Sequence, residues 1–145
     1  PENLSGYREL SRRSSLTIAG GEQESSYARF EQLVDEGELD LLQPDLGRCG
    51  GLTAGRRIAW LAHTRQRRIV PHAFKSGVLV AASTHFAASI PNGCMIEHTV
   101  SSSPIARDLV RREITFADGY VSVPLDRPGL GVEIDHEVLE RLRVD

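Results

Sequence analysis

Cysteine is scarce in this chain: Cys49 and Cys94 are its only two, far apart and without metal-ligand spacing. That excludes a disulfide-built scaffold and a cysteine-rich zinc site, and predicts a reduced pair in a cytoplasmic protein. Lysine is scarcer still, since Lys75 stands alone among 17 basic residues. Twenty acidic residues bring the net charge to −3 and the pI to about 6.0. No positive field is available for nucleic acid or an anionic membrane surface. No apolar run approaches the roughly 18 residues that signal a membrane-spanning helix, and no signal-peptide pattern is visible. "GRCGG" and "PGLG" are rich in glycine, but neither has the spacing of a P-loop or a dinucleotide fingerprint.

What remains is 145 residues, 40% hydrophobic and 26% charged. That composition suits one soluble globular domain with a real core. Short apolar runs alternate with helical patterns. "LTIAGGE" (16–22) reads as a strand and "SSYARFEQLVDEG" (25–37) as a helix, with Tyr27, Phe30, Leu33 and Val34 at helical spacing. "LDLLQPD" (39–45) is the next strand. "TAGRRIAWLAHTRQ" (53–66) is the next helix, with Thr53 as its expected N-cap. "RIVPHAF" (68–74) is a strand, "SGVLVAASTHFAASI" (76–90) a helix stopped by Pro91, and "CMIEHTV" (94–100) a last strand. Residues 1–14 read as a helix preceding the first strand. From 114 the rhythm changes to a hairpin turning at Asp118-Gly119, an extended tail and a short helix over 136–144.

Each expected strand carries an ionisable residue near its end: Glu22, Asp45, His72 and Glu97, at intervals of 23 to 27 residues. That is a β/α rhythm, which a doubly wound sheet or a (β/α) barrel satisfies. The barrel is favoured, because barrel strands aim functional side chains into one mouth from their C-terminal ends. A whole barrel needs roughly 250 residues, so four units are half of one. The expected fold is therefore α/β, half of a barrel followed by a hairpin and tail. Its first residue is Pro rather than Met, and the two features together predict a portion of a larger chain.

Asp45 follows Pro44, which cannot donate to a ladder, and precedes the glycines of "LGRCGG". Two readings are open for it: a carboxylate facing a cavity, or a cap on the following turn. His72 ends the neighbouring strand, where a carboxylate would set its tautomer and raise its basicity; the alternative is a hydrogen-bonded core histidine. Glu22 is a hard oxygen donor suited to Mg²⁺. Glu97, inside the apolar "MIEHT", is either salt-bridged or a protonated acid that donates to a substrate oxygen. Arg48, Lys75 and Ser76 are candidates to meet a substrate anion. His63, His85, His98 and His136 have no metal-ligand companion, and "TRQRR" (64–68) reads as a solvated helix end.

In combination these stretches resemble one family. "IAGGE" (18–22), "DLLQPDLGRCGGLT" (40–53), "VPHAF" (70–74), "IEH" (96–98) and "GYVSVPLDRPGLGVEID" (119–135) are similar to the C-terminal part of enolase-superfamily enzymes of the mandelate racemase and muconate-lactonising type. The resemblance implies strands five to eight of a (β/α)7β barrel over 1–113. It also implies a tail over 114–145 that packs on a capping domain. It implies Glu22 as a Mg²⁺ ligand, Asp45 and His72 as a dyad in which His72 is the base, and Glu97 as the acid on the substrate carboxylate. The implied chemistry is removal of the proton α to a carboxylate with the enediolate held by Mg²⁺. The expected activity is acid-sugar dehydration, with racemisation or lactone cycloisomerisation as the alternatives within the family. From another class, a non-catalytic fragment or pseudoenzyme is the competing reading. The family's other metal ligands, its lysine base and its substrate loops have no counterpart in these 145 residues, and the full-length form is expected to be a homo-oligomer.

Overall fold

The computed structural model describes residues 2–111 and 114–144. Residues 112 and 113, where barrel and tail were expected to divide, lie outside the described residues. So does residue 1, the first of the expected N-terminal helix. Helix α1 (Leu4–Arg13) opens on Asn3, whose Oδ1 accepts from Gly6 N at 2.8 Å, and Arg12 and Arg13 sit in its last turn. That arrangement satisfies an orphan donor at one end and complements the helix dipole at the other. Leu4 and Tyr7 lean on the core.

Three strands follow: β1 (Ala19–Gly20), β2 (Leu41–Leu42) and β3 (Arg68–Ile69), paired in parallel in that order. Ala19 pairs with Leu41 and Leu42 with Ile69. The regular ladders are short, but backbone bonds carry them toward the C-terminal ends. Gln43 N donates to Gly20 O at 2.8 Å, Val70 N to Leu42 O at 3.0 Å, and His72 N to Pro44 O at 3.1 Å.

Helices α2 (Tyr27–Asp35), α3 (Gly51–Thr64) and α4 (Gly77–Ser89) connect and cover these strands. Phe30, Leu33, Leu39, Leu42, Ile58, Ile69 and Phe86 form the heart of one buried cluster. In α2 the expected Phe30, Leu33 and Val34 are buried and Tyr27 is exposed, while α3 buries Ile58, Ala59, Leu61 and Ala62. In α4 burial covers Val80, Ala81, Ser83, Thr84 and Phe86, because α4 packs against both α3 and the short helix α5 (Pro104–Arg107).

Two expectations need correction. Thr53 is not an N-cap; α3 starts two residues earlier, after Gly50. Gly50 and Gly51 adopt φ of 103° and 79°, a left-handed backbone that glycine enters with little strain. That turn starts the helix from the loop itself. The segment 94–100 is not a regular strand: among the described residues the chain bridges β3 at one point, Gly93 opposite Ile69, just before it. Ile69 N donates to Asn92 O and Cys94 N to Ile69 O, and the next donor on β3 would be residue 71. That residue is Pro71, which has no N–H, so the ladder stops there.

The hairpin is as expected. β4 (Phe116–Ala117) and β5 (Tyr120–Val121) are antiparallel, and Asp118 and Gly119 both have positive φ, as a type I′ turn requires. The tail returns to its own chain: Val110 bridges Ile134, Asp135 N donates to Leu109 O, and Val138 of α6 (His136–Arg141) is buried. Among the described residues no helix is long and apolar enough to cross a membrane.

Candidate active site

The site grows out of the ends of β1, β2 and β3. Just beyond β2, Pro44 turns the chain and the glycine-rich loop wraps around Asp45. Arg48 N and Cys49 N donate to its backbone oxygen at 2.9 and 2.8 Å, and Gly47 N donates to Oδ1 at 2.8 Å. A Cβ at Gly47 would stand 3.1 Å from that same oxygen, so glycine lets the amide close in. The capping reading of Asp45 accounts for Oδ1, while Oδ2 is turned toward His72.

Asp45 is 0% exposed. A carboxylate so buried is costly unless it is paired. Its partners are His72 Nδ1 at 3.0 Å, Lys75 Nζ at 3.7 Å and Arg48 Nε at 4.0 Å, all on Oδ2. With Asp45 as the accepting carboxylate the ring donates from Nδ1, which in a neutral imidazole leaves the lone pair on Nε2. Nε2 lies 3.6 Å from Glu22 Oε2 and 3.8 Å from Glu97 Oε2. The Phe74 ring stacks beside His72, with centroids 6.0 Å apart and planes at 28°. Beneath the site, burial and the nearby Asp45 push the Cys49 thiol up to about 11.

The four strand-end residues thus meet around one imidazole. Of the other candidates, Arg48 and Lys75 direct their cations at Asp45. Ser76 Oγ accepts from Leu79 N at 3.2 Å as the cap of α4. His63 meets Trp60 edge-on, His85 meets Leu130 O, and His98 lies over Phe116. Within "TRQRR", Arg65 pairs with Asp35 and Arg67 with Asp40. One residue escaped the sequence reading: Gln43, whose Nε2 donates to Glu97 Oε1 at 2.6 Å. Its signal was the two-residue step from Asp45, which places both on one side of a strand.

The family model for enolase C-terminal domain-like proteins matches residues 1–138. The chain belongs to the enolase C-terminal domain-like family. Its parallel sheet and covering helices are accordingly part of an α/β barrel. It is 33% identical to D-galactarolactone cycloisomerase of Agrobacterium fabrum over 152 residues, covering 99% of this chain and 40% of that protein. It is 33% identical to D-galactonate dehydratase of Ralstonia nicotianae over 149 residues, covering 98% of this chain and 39% of that protein. The crystal structure of the 3,6-anhydro-D-galactonate cycloisomerase from Zobellia galactanivorans matches with a TM-score of 0.89 at 32% identity, covering 97% of this chain and 40% of that one. The chain thus spans about two fifths of the length of the curated relatives it matches.

The enolase likeness implies a cation, and the donor set tests it. Mg²⁺ demands near-octahedral oxygen ligands. Among the described residues, no group of three His, Cys, Asp or Glu side chains is placed to hold a metal. Glu22, half exposed, is a single carboxylate, which by itself does not make such a shell.

Proposed function

We propose that this chain carries the proton-transfer centre of a sugar-acid dehydratase, which removes the proton α to a carboxylate before a β-hydroxyl leaves. The observation that carries the reading is the 3.0 Å contact between Asp45 Oδ2 and His72 Nδ1, with Nε2 open between Glu22 and Glu97. Buried Asp45 holds the ring in one tautomer and stabilises the imidazolium formed when Nε2 takes a proton. A proton α to a carboxylate is barely acidic, and its loss adds negative charge to that carboxylate. A donor held in place before the reaction lowers that cost. Glu97 in its acid form, with Oε2 beside His72 Nε2, is set to donate to one carboxylate oxygen. The imidazolium can then return its proton to the departing hydroxyl. Glu22 is one ligand toward a Mg²⁺ site that further groups must complete, and none of these steps is routed through the ion.

The sugar-acid class rests on the relatives, which are named for galactonate, galactarolactone and anhydrogalactonate. Cycloisomerisation is the second reading, supported by equal identity to a dehydratase and a lactone cycloisomerase. Both would start from the same proton removal. The test is turnover of galactonate, galactarate and galactarolactone by the full-length protein in deuterated water, with wild type and His72→Asn. Loss of water to give an α-keto acid supports dehydration, and an isomer that loses no water and takes up one carbon-bound deuterium supports cycloisomerisation. Near-normal turnover by His72→Asn would remove the histidine from the mechanism.

A further inference from the structure

Glu97 stands on a segment with little backbone support. Among the described residues the chain bridges β3 at Gly93, just before the 94–100 stretch, and loses its ladder at Pro71. Among the described residues, a side chain from another strand holds the Glu97 carboxyl. Gln43 does so from two strands away. Its own backbone is anchored, with N donating to Gly20 O at 2.8 Å. Its side chain leaves the same side of the chain as that of Asp45 and ends with Nε2 2.6 Å from Glu97 Oε1. An acceptor oxygen requires the amide to present its N–H.

We infer that Gln43 is a positioning residue that tells the two oxygens of Glu97 apart. Oε1 is committed to the amide. Oε2 is turned toward His72 Nε2, 3.8 Å away. With Oε1 taken up by the amide, Oε2 is the oxygen left to meet a substrate. The acid is thereby aimed at the substrate oxygen nearest the base rather than at the floor of the site. Gln43 touches Glu97 and does so without contact to His72 through any bond described above, so its effect reaches the chemistry through the acid.

The kinetic part of this inference rests on the proposed function; the structural part does not. The experiment takes the full-length protein with Gln43→Met, which keeps length and removes the donor, and Gln43→Asn, which keeps the amide and shortens its reach. Crystal structures of both should show the Glu97 carboxyl turned away from His72. A carboxyl that stays in place in both overturns the inference, whatever the enzyme's reaction. In kinetics, kcat should fall on the order of 10²-fold, the cost of misplacing a reacting group by about 1 Å, with KM changed far less. In a Glu97→Gln background, Gln43→Met should cost nothing further. Losses that add in the double variant would overturn the inference, since Gln43 would then act elsewhere. If His72→Asn turns over normally, the proposed function fails while the crystal structures still decide the role of Gln43.

Discussion

Asp45 and His72 are held together at two levels, as partners in the sheet and through their side chains. They form the parallel bridge just past the regular ladder of β2 and β3, with His72 N on Pro44 O at 3.1 Å, and Oδ2 meets Nδ1 at 3.0 Å. The sheet itself sets the distance between carboxylate and ring, so the pair needs no flexible segment to find its geometry.

From this follows the expected behaviour of two substitutions in the full-length protein. His72→Asn preserves a hydrogen-bonding group but cannot cycle a proton, and turnover should drop by about 10²–10⁴-fold or more. Asp45→Asn should be comparably severe, because an amide can hold the ring in the wrong tautomer and cannot stabilise imidazolium. The loss of Asp45 also leaves Lys75 and Arg48 without the carboxylate they face. Steady-state rates on the accepted sugar acid check both. Activity within a few-fold of wild type for either variant would sink the dyad.

Much of this arrangement was legible before any coordinates, for identifiable reasons. Pro44 and the glycines after Asp45 punctuate the strand, and the interval from Asp45 to His72 is one β/α unit, so adjacency followed from topology. The start of α3 was misread because Thr53 is a good cap by residue type, whereas the turn is made by the backbone of Gly50 and Gly51. The 94–100 segment was misread because its apolar, β-branched character says nothing about whether its neighbour can donate; Pro71 decides that. Gln43 was missed because its contact spans 54 residues of sequence: the two-residue step from Asp45 puts both on one side of a strand but does not announce a bond across an intervening strand.

The core should respond steeply to lost volume. Ile58 is 0% exposed and lies in the cluster with Phe30, Leu42 and Phe86. Ile58→Val should cost about 0.5–1.5 kcal/mol and Ile58→Ala about 2–5 kcal/mol of unfolding free energy. Urea denaturation of the full-length protein measures this. Equal midpoints for wild type and Ile58→Ala would contradict the packing described.

The two cysteines should separate cleanly. Cys94 is exposed, whereas Cys49 is buried beside Asp45 with its thiol pushed up to about 11. Thiolate is the reactive form, so at pH 8 a thiol reagent should label Cys94 quickly and Cys49 only on unfolding. Mass spectrometry of the labelled peptides reads the ratio. Rapid native labelling of Cys49 would mean that the loop over Asp45 opens readily.

The tail should carry an acid-sensitive lock. Asp135 caps α6: its Oδ1 accepts from Glu137 N at 3.0 Å and Val138 N at 3.1 Å, and its Oδ2 accepts from Arg111 Nε at 2.9 Å. The Arg111 guanidinium, and then the Val138 N–H, hold its carboxyl at about 2, below the ordinary 3.8. A carboxyl whose folded pKa is depressed stabilises the folded state above its unfolded pKa, and that contribution declines as pH falls toward the folded pKa. The contribution of Asp135 is therefore complete above about pH 4 and is lost progressively between about pH 4 and pH 2. Asp135→Asn retains a good capping residue but has no charge to titrate, so it should remove the pH dependence while keeping most of the cap. Hydrogen exchange at the amides of Glu137 and Val138, followed from pH 6 down to pH 2.5 and corrected for intrinsic rates, reports the lock directly. Wild type should lose protection across that window and Asp135→Asn should not. Identical pH profiles for the two would show that the Arg111 contact does not hold the tail.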